Sequence, residues 1–273
     1  TSRPHSAMTI QSADLSKTCL VGLHLEGADL EGCDLAYSNL SKSSFRGASL
    51  QGCHLEGADL RSSVLEGADL SVTDLRWTAL EHAQLSGARM VGCVLSGKNC
   101  GGWELSGCDL TRSNLEGCEL SESRLVKARL VEAQCMQLVC HGGDWSGVDA
   151  RNANLSGAEL SESVLRHSVL RKVKLYRAEL SGSDLSGADL SEAVLAESRL
   201  CGARLHRAVL CGADLSGSEL RDADFTEADL REARLPSLAA QLQNVCLERA
   251  CLAGADLCGM DLSSARMRGC DLS

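Results

Sequence analysis

A five-residue repeat is the feature that most limits how this chain can fold. Between Ser181 and Leu195 the sequence reads SGSDL SGADL SEAVL, with leucine at every fifth position and a small residue two places before each leucine. In an α-helix a step of five would carry successive leucines around the axis, and in a flat strand it would put them on opposite faces. The repeat therefore predicts short extended pieces separated by turns, coiled so that every leucine points into a common interior.

The glycines indicate the same coiled architecture. Of the 26 glycines, 24 lie two places after a central residue of the repeat. A position that selects glycine so consistently needs positive φ, as the third residue of a type II turn does. Where this position holds another residue, as at Ser62, Glu122 and Arg177, we expect a different turn type.

These units resemble the consensus A(D/N)Lxx of the pentapeptide-repeat family. The resemblance covers nearly the whole chain, and its closest copies are Ala28-Asp29-Leu30, Ala58-Asp59-Leu60, Ala153-Asn154-Leu155 and Ala188-Asp189-Leu190. It implies an all-β fold, a right-handed quadrilateral β-helix with four units and roughly 20 residues per coil, and so about 13 coils in this solenoid. It also implies that the central leucine and the small residue two places before it both face inward.

The register of the repeat divides the chain into four parts. Residues 1–9 are predicted to be an N-terminal tail, and residues 10–235 the regular β-helix, with 46 central positions of which 37 are leucine. Two extra residues after Leu235 shift the register, so residues 236–246 are predicted to be an insertion, either a loop or a short helix. Residues 247–273 continue the coils.

The two ends of the repeat and the composition bear on partners and location. Because the repeat already runs at Met8 and stops at Ser273 without caps, we expect a domain of something longer, or ends that pair with a partner or with another copy, end to end. The net charge is −10, no apolar run reaches the ~18 residues of a membrane span, and no signal peptide precedes the repeat. The predicted location is the bacterial cytoplasm, or export by a route without an N-terminal signal peptide.

Two stretches depart from the repeat. Lys98 and Trp103 occupy the small inward position, and because burying an unpaired lysine costs several kcal/mol, the coil is predicted to open between Ser96 and Trp103 and let Lys98 reach water. In residues 136–150 large and small residues exchange places, with Trp145 at a leucine position, which predicts compensation by volume. Any partner is predicted to engage these coils, at a candidate interaction surface of Lys98, Trp103, His141 and Trp145.

The 15 cysteines raise the question of metal or disulfide chemistry. Nine occupy inward positions and are predicted to be reduced core residues, namely Cys33, Cys53, Cys93, Cys108, Cys118, Cys270, Cys100, Cys135 and Cys140. The other six are predicted to face outward, namely Cys19, Cys201, Cys211, Cys246, Cys251 and Cys258. Cys135, Cys140 and His141 lack the paired spacing of a zinc site, so no metal and no cofactor are predicted.

The function predicted from the sequence is a non-enzymatic binding or structural module for a protein partner. The histidines are scattered and no phosphate loop occurs. Because some family members bind DNA gyrase by imitating DNA, the resemblance also implies a DNA mimic directed at gyrase or topoisomerase as an alternative, and a repeat domain of a secreted effector or secretion apparatus as another. No direct nucleic-acid binding is expected.

A candidate acidic column bears on the DNA-mimic alternative. It comprises Asp29, Asp69, Asp109, Asp149, Asp189 and Asp229. Arg89 and Arg129 fall in the same column, and a mixed face is a poor copy of a phosphate backbone.

Overall fold

Parallel β-bridges join each coil of the molecule to the next. The computed structural model describes residues 8–237, 242–257 and 262–273. Within these residues the backbone forms no α-helix and no continuous strand; each five-residue unit contributes an isolated bridge residue, such as Asp59, which pairs with Ala79 one coil later. A unit is thus too short to count as a strand, and it gains its pairing only from its neighbours in the stack.

The spacing of the bridged residues gives the register of the coils. The step is 20 residues from Thr9↔Asp29 to Asp214↔Arg234 and 22 residues at Asp224↔Cys246, and it returns to 20 at Cys246↔Arg266. Four five-residue units therefore make one coil, and one coil holds two additional residues. The choice between a loop and a short helix falls on residues 238–241, which lie outside the described residues, as do most of the N-terminal tail and Cys258.

The interior is filled by the two inward positions of each unit. Ala58 and Leu60 are completely buried, while Asp59 between them faces outward, and the same alternation recurs along the rod. The predicted inward assignment of the central residue and of the small residue two places before it is confirmed. Each fully buried leucine contributes roughly 1.5–3 kcal/mol of hydrophobic free energy, so the stacked leucines are the main stabilising element.

Two hydrogen bonds per unit join neighbouring coils around this core. The N–H of Leu60 donates to the carbonyl of Ala79 at 2.8 Å, and the N–H of Asp59 donates in the opposite direction to Ser38 at 2.9 Å. A third bond runs between the turns, as from the N–H of Gly52 to the carbonyl of a residue in the next coil at 2.9 Å. A regular coil therefore pairs most of its backbone groups, and a place where these bonds are missing is easy to recognise.

The turns keep one conformation whether or not they contain glycine. The described glycines at the second turn position have φ between 63° and 76°, as predicted. The prediction of a different turn type at Ser62, Glu122 and Arg177 is wrong, because their φ values are 58°, 59° and 55°. The bond between turns, here from the N–H of Glu122 to the carbonyl of His141 at 3.0 Å, holds the turn peptide in the common orientation despite a left-handed cost of about 1–2 kcal/mol.

Candidate binding site at an interrupted coil

The turn at Trp77 differs from every other turn of the repeat between residues 8 and 235. Trp77 holds the second turn position but does not have positive φ, whereas all its counterparts in this described stretch do. The N–H of Thr78 still closes the turn on the carbonyl of Leu75 at 3.3 Å, as in a type I turn. Relative to a type II turn, the central peptide between Arg76 and Trp77 is then rotated by roughly 180°.

Rotation of this peptide removes its bonds to both neighbouring coils. In the regular pattern the carbonyl of Arg76 would accept from Gly57, and the N–H of Trp77 would donate to Ser96. Both bonds are absent in this described part of the chain. The bridge that would pair His54 with Asp74, 20 residues later in the same coil as Arg76, is also absent. The flipped peptide therefore interrupts the ladder on both sides of one coil.

The larger interruption lies between residues 77–85 and 96–104, and we call it the slit. Among the described residues, the bridges that would pair Ala79 with Asn99 and Gln84 with Glu104 are missing, and so are the hydrogen bonds around them. Both walls stay attached elsewhere, since Ala79 pairs with Asp59 and Asn99 pairs with Glu119. The predicted opening between Ser96 and Trp103 is thus present. The structure also shows that residues 77–85 of the preceding coil form the opposite side of this opening.

Lys98 lies at one end of the slit. Its Nζ donates to the carbonyl of Thr78 at 2.6 Å and approaches the carbonyl of Arg76 at 3.4 Å. The ammonium group thus replaces the N–H of Asn99, which would bond Thr78 in a regular coil. The prediction that Lys98 swings out to water is wrong, because the half-buried side chain finds two freed carbonyls between the coils. Burial lowers the pKa of Lys98.

The slit encloses a cavity of about 440 Å³, a volume within the range of ligand sites. Its lining comprises Glu81, His82, Ala83, Asn99, Gly101, Gly102, Trp103 and Glu104. Ala83 and Trp103 hold inward positions yet are partly exposed, so the slit opens the apolar interior to solvent. A smaller cavity of about 170 Å³ lies at the other side of the same coil, against Trp77, whose side chain is 70% exposed.

The four residues of the candidate interaction surface do not form one surface. Lys98 and Trp103 both belong to the slit. His141 is exposed two coils further along, where its ring nitrogen Nε2 lies 3.2 Å from Glu159. The prediction for Trp145 is wrong, because its side chain is completely buried.

Sequence reasoning missed Trp77 and Glu81, and it did not single out Asn99 or Glu104 beside the predicted opening. A large aromatic residue at a turn position that glycine often fills was the available signal for Trp77. Glu81 belongs to an ordinary repeat unit, so only the contact between two coils brings it to the slit.

The candidate acidic column lies on one face, as bridges link its members through the intervening residues. Its carboxylates are mostly occupied. Arg151 holds Asp149 through two bonds of 2.8 and 2.7 Å, and Arg231 holds Asp229 through bonds of 2.8 and 2.6 Å. The hydrogen bonds from Arg231 lower the pKa of Asp229 to about 2. Asp69 and Asp189 also have arginine partners, Arg89 and Arg171. Four of the six carboxylates of the column are thus paired with arginine, while Gln11 bonds Asp29 and Thr111 bonds Asp109.

The described cysteines are free thiols. Burial raises the pKa of Cys135, and the thiol of Cys140 accepts a hydrogen bond from Trp145 Nε1 at 3.1 Å. Cys246, which was predicted to face outward, is buried, with its sulfur 3.2 Å from the hydroxyl of Thr226. Within the described residues no group of three metal-ligating side chains comes together, and no helix could span a membrane.

Comparison with known proteins identifies the repeat. The sequence profile of the family described as pentapeptide repeats matches residues 10–97, 104–134, 146–236 and 240–273 in overlapping segments. The chain belongs to the pentapeptide-repeat family. Members of this family form a right-handed β-helix. The matches leave out residues between 97 and 104 and between 134 and 146, which contain Lys98, Trp103 and Trp145.

Solved structures of pentapeptide-repeat proteins are similar to parts or most of this chain. A protein from Nostoc Pcc 7120 is 32% identical over 31% of this chain and 64% of its own length, with a TM-score of 0.27. HetL, involved in heterocyst differentiation regulation in Nostoc sp. strain PCC 7120, is 26% identical over 97% and 87%, with a TM-score of 0.21. QnrB1, a plasmid-mediated fluoroquinolone resistance protein, is 17% identical over 96% and 91%, with a TM-score of 0.29. No curated protein sequence matches the chain significantly.

Proposed function

We propose that this protein is a non-enzymatic binding module, a rod that engages a protein partner at the slit between residues 77–85 and 96–104. The observation that carries the proposal is the loss of two adjacent bridges, the longest interruption of the ladder between residues 8 and 235. Unpaired backbone groups beside an exposed apolar interior are costly unless another molecule or water satisfies them. A slit that persists in a simple repeat therefore calls for a function.

The regular faces offer a partner much less. Their backbone groups are mostly paired between coils, and many of their charges have an oppositely charged neighbour. Lys172 pairs with Glu192 at 3.2 Å and Arg177 with Glu197 at 2.7 Å, both on the exposed surface. Such pairs are worth less than about 1 kcal/mol each and leave little unsatisfied charge for recognition.

The lining of the slit suits the binding of a protein partner. The lining residues supply carboxylate, imidazole and amide groups beside Trp103, and they include no hydroxyl or thiol side chain. Tryptophan in a concave site is a frequent anchor of protein interfaces. We propose a cytoplasmic location, which the free thiols support because they suit a reducing compartment.

A display experiment tests the proposal. The closed variant carries Trp77→Gly, Lys98→Ala and Trp103→Ala, which restore the repeat consensus at the slit. The rod control carries Val173→Ala and Arg177→Gly, the same kinds of position in a regular coil. A library of displayed protein domains is selected on the unmodified protein and then compared on both variants.

We expect selected domains to bind the unmodified protein and the rod control, and to lose at least about tenfold in affinity for the closed variant. Circular dichroism spectra and melting temperatures first establish that both variants fold. Selected domains that bind all three proteins equally would contradict the proposal, since the recognised surface would then lie on the regular faces.

A further inference from the structure

The two walls of the slit carry unpaired backbone groups at strand-like spacing. Within these described walls, the N–H groups of Leu80, His82, Leu85, Asn99 and Glu104 lack the bonds that their counterparts make elsewhere. The same holds for the carbonyls of Ala83, Asn99, Gly101 and Glu104. These groups belong to two parallel edges that face each other, and an unpaired edge is a template for another extended chain.

We propose that the slit accepts an extended basic polypeptide segment, which inserts as a strand between residues 80–85 and 99–104 and places a lysine or arginine side chain near Glu81 and Glu104. This inference rests on the proposed function and names the chemistry of the partner.

Backbone pairing is the first reason for an extended segment. The free groups include donors and acceptors on both walls, and an extended polypeptide offers N–H and C=O groups on both of its edges. Strand addition to an open sheet edge gains its affinity from these main-chain bonds, and alternate side chains give specificity. The slit presents two such edges that face each other.

Charge is the reason for a basic partner. Glu81 lines the slit and makes no ion pair within the described residues. Glu104 is only loosely matched, with Arg124 at 3.5 Å. Trp103 lies beside these carboxylates in the lining, and a cation over an indole face gains further attraction. The net charge of −10 also attracts basic partners at long range.

Lys98 sets the position of the segment. Its ammonium group bonds the carbonyl of Thr78 at 2.6 Å and so occupies the end of the slit next to Trp77. A second cation is disfavoured there. The basic side chain of the segment therefore lies towards Glu104, away from Lys98.

The test uses the full chain and a displayed library of short random peptides that is free of tryptophan and cysteine. We expect the selected peptides to be enriched in lysine and arginine at alternate positions. A selected peptide, resynthesised with alternate N-methylated amides, keeps its side chains but cannot form a strand, and its affinity should fall at least about tenfold. The bound peptide should slow amide exchange at Leu80, Leu85, Asn99 and Glu104.

Substitution separates the charge from the backbone pairing. Glu81→Gln should weaken the selected peptide roughly two- to fivefold, as expected for a partly exposed ion pair, while Glu116→Gln on a regular turn should not change its affinity. Peptides that protect the slit amides but carry no basic side chains would overturn the inferred partner chemistry and leave the proposed binding site standing. No selected peptides, or peptides that bind the closed variant equally well, would overturn the insertion itself. The proposed function itself is tested independently, by the selection of displayed protein domains described above.

Discussion

Gly143 and Trp145 form an exchanged pair in the core, and their coupling can be measured. Trp145 replaces the usual leucine and is completely buried, while Gly143 replaces the usual alanine or serine at the inward position. A Cβ on Gly143 would overlap the sulfur of Cys140 and lie 3.2 Å from Nε1 of Trp145. The backbone of Gly143 does not have positive φ, so space and not conformation requires the glycine.

We predict that Gly143→Ala lowers the free energy of unfolding by about 1–3 kcal/mol through overpacking. Trp145→Leu alone should cost about 2–4 kcal/mol, because it leaves a cavity and removes the bond to Cys140. The double variant restores the repeat consensus and should lie within about 1 kcal/mol of the unmodified protein. The coupling free energy would then be at least about 2 kcal/mol.

Urea unfolding followed by circular dichroism measures these differences, compared at unchanged m-value. Gly101→Ala is the control, since a Cβ there meets nothing closer than 3.3 Å and should change stability by less than about 0.5 kcal/mol. Additive costs of Gly143→Ala and Trp145→Leu would refute the idea that the two residues compensate each other in volume.

Three further predictions concern the core, the acidic column and the DNA-mimic alternative. Leu115→Asp should cost more than about 4 kcal/mol, because it buries an unpaired carboxylate, while Glu116→Lys beside it should be nearly neutral; equal melting temperatures would contradict the inward assignment. The Asp229 carboxyl has a folded pKa of about 2, below its unfolded value, so its contribution is present above about pH 4 and is lost as the pH falls towards 2. The small stability difference between the unmodified protein and Arg231→Gln should therefore vanish in urea titrations near pH 2, and a difference that grows on acidification would show the sign to be wrong. Finally, the protein should not inhibit gyrase supercoiling at micromolar concentration, because four of the six carboxylates of its acidic column are paired with arginine; potent inhibition that is abolished by charge reversal at Asp69 and Asp109 would favour the DNA mimic.

The repeat alone predicted the family, the inward positions and the positive φ of the glycines, because each follows from a pattern repeated in nearly every unit. The turns at Ser62 and Glu122 were predicted wrongly for a related reason. Propensity favours another turn at a non-glycine residue, but the hydrogen bonds between stacked turns impose the common one. The local preference is worth about 1–2 kcal/mol, and the stack outweighs it.

The slit could be predicted only in part. The cost of burying Lys98 indicated an opening in the ladder, and the position of Lys98 in the sequence indicated that this opening lies between Ser96 and Trp103. The second wall, with Glu81 and Leu85, consists of ordinary repeat units, and nothing in their own residues marks them. The flipped peptide at Trp77 belongs to the same interruption, because its carbonyl, that of Arg76, lies 3.4 Å from Nζ of Lys98. That contact spans 22 residues and has no local signature.

Amide hydrogen exchange of the unmodified protein tests the central claim most directly. The account predicts that the N–H groups of Leu80, Leu85, Asn99 and Glu104 exchange at least about tenfold faster than those of Leu60 and Leu190, which donate between coils at 2.8 and 2.7 Å. In the closed variant the four fast amides should become as slow as the two reference amides. Equally slow exchange at all six positions in the unmodified protein would show a continuous ladder and contradict the existence of the slit.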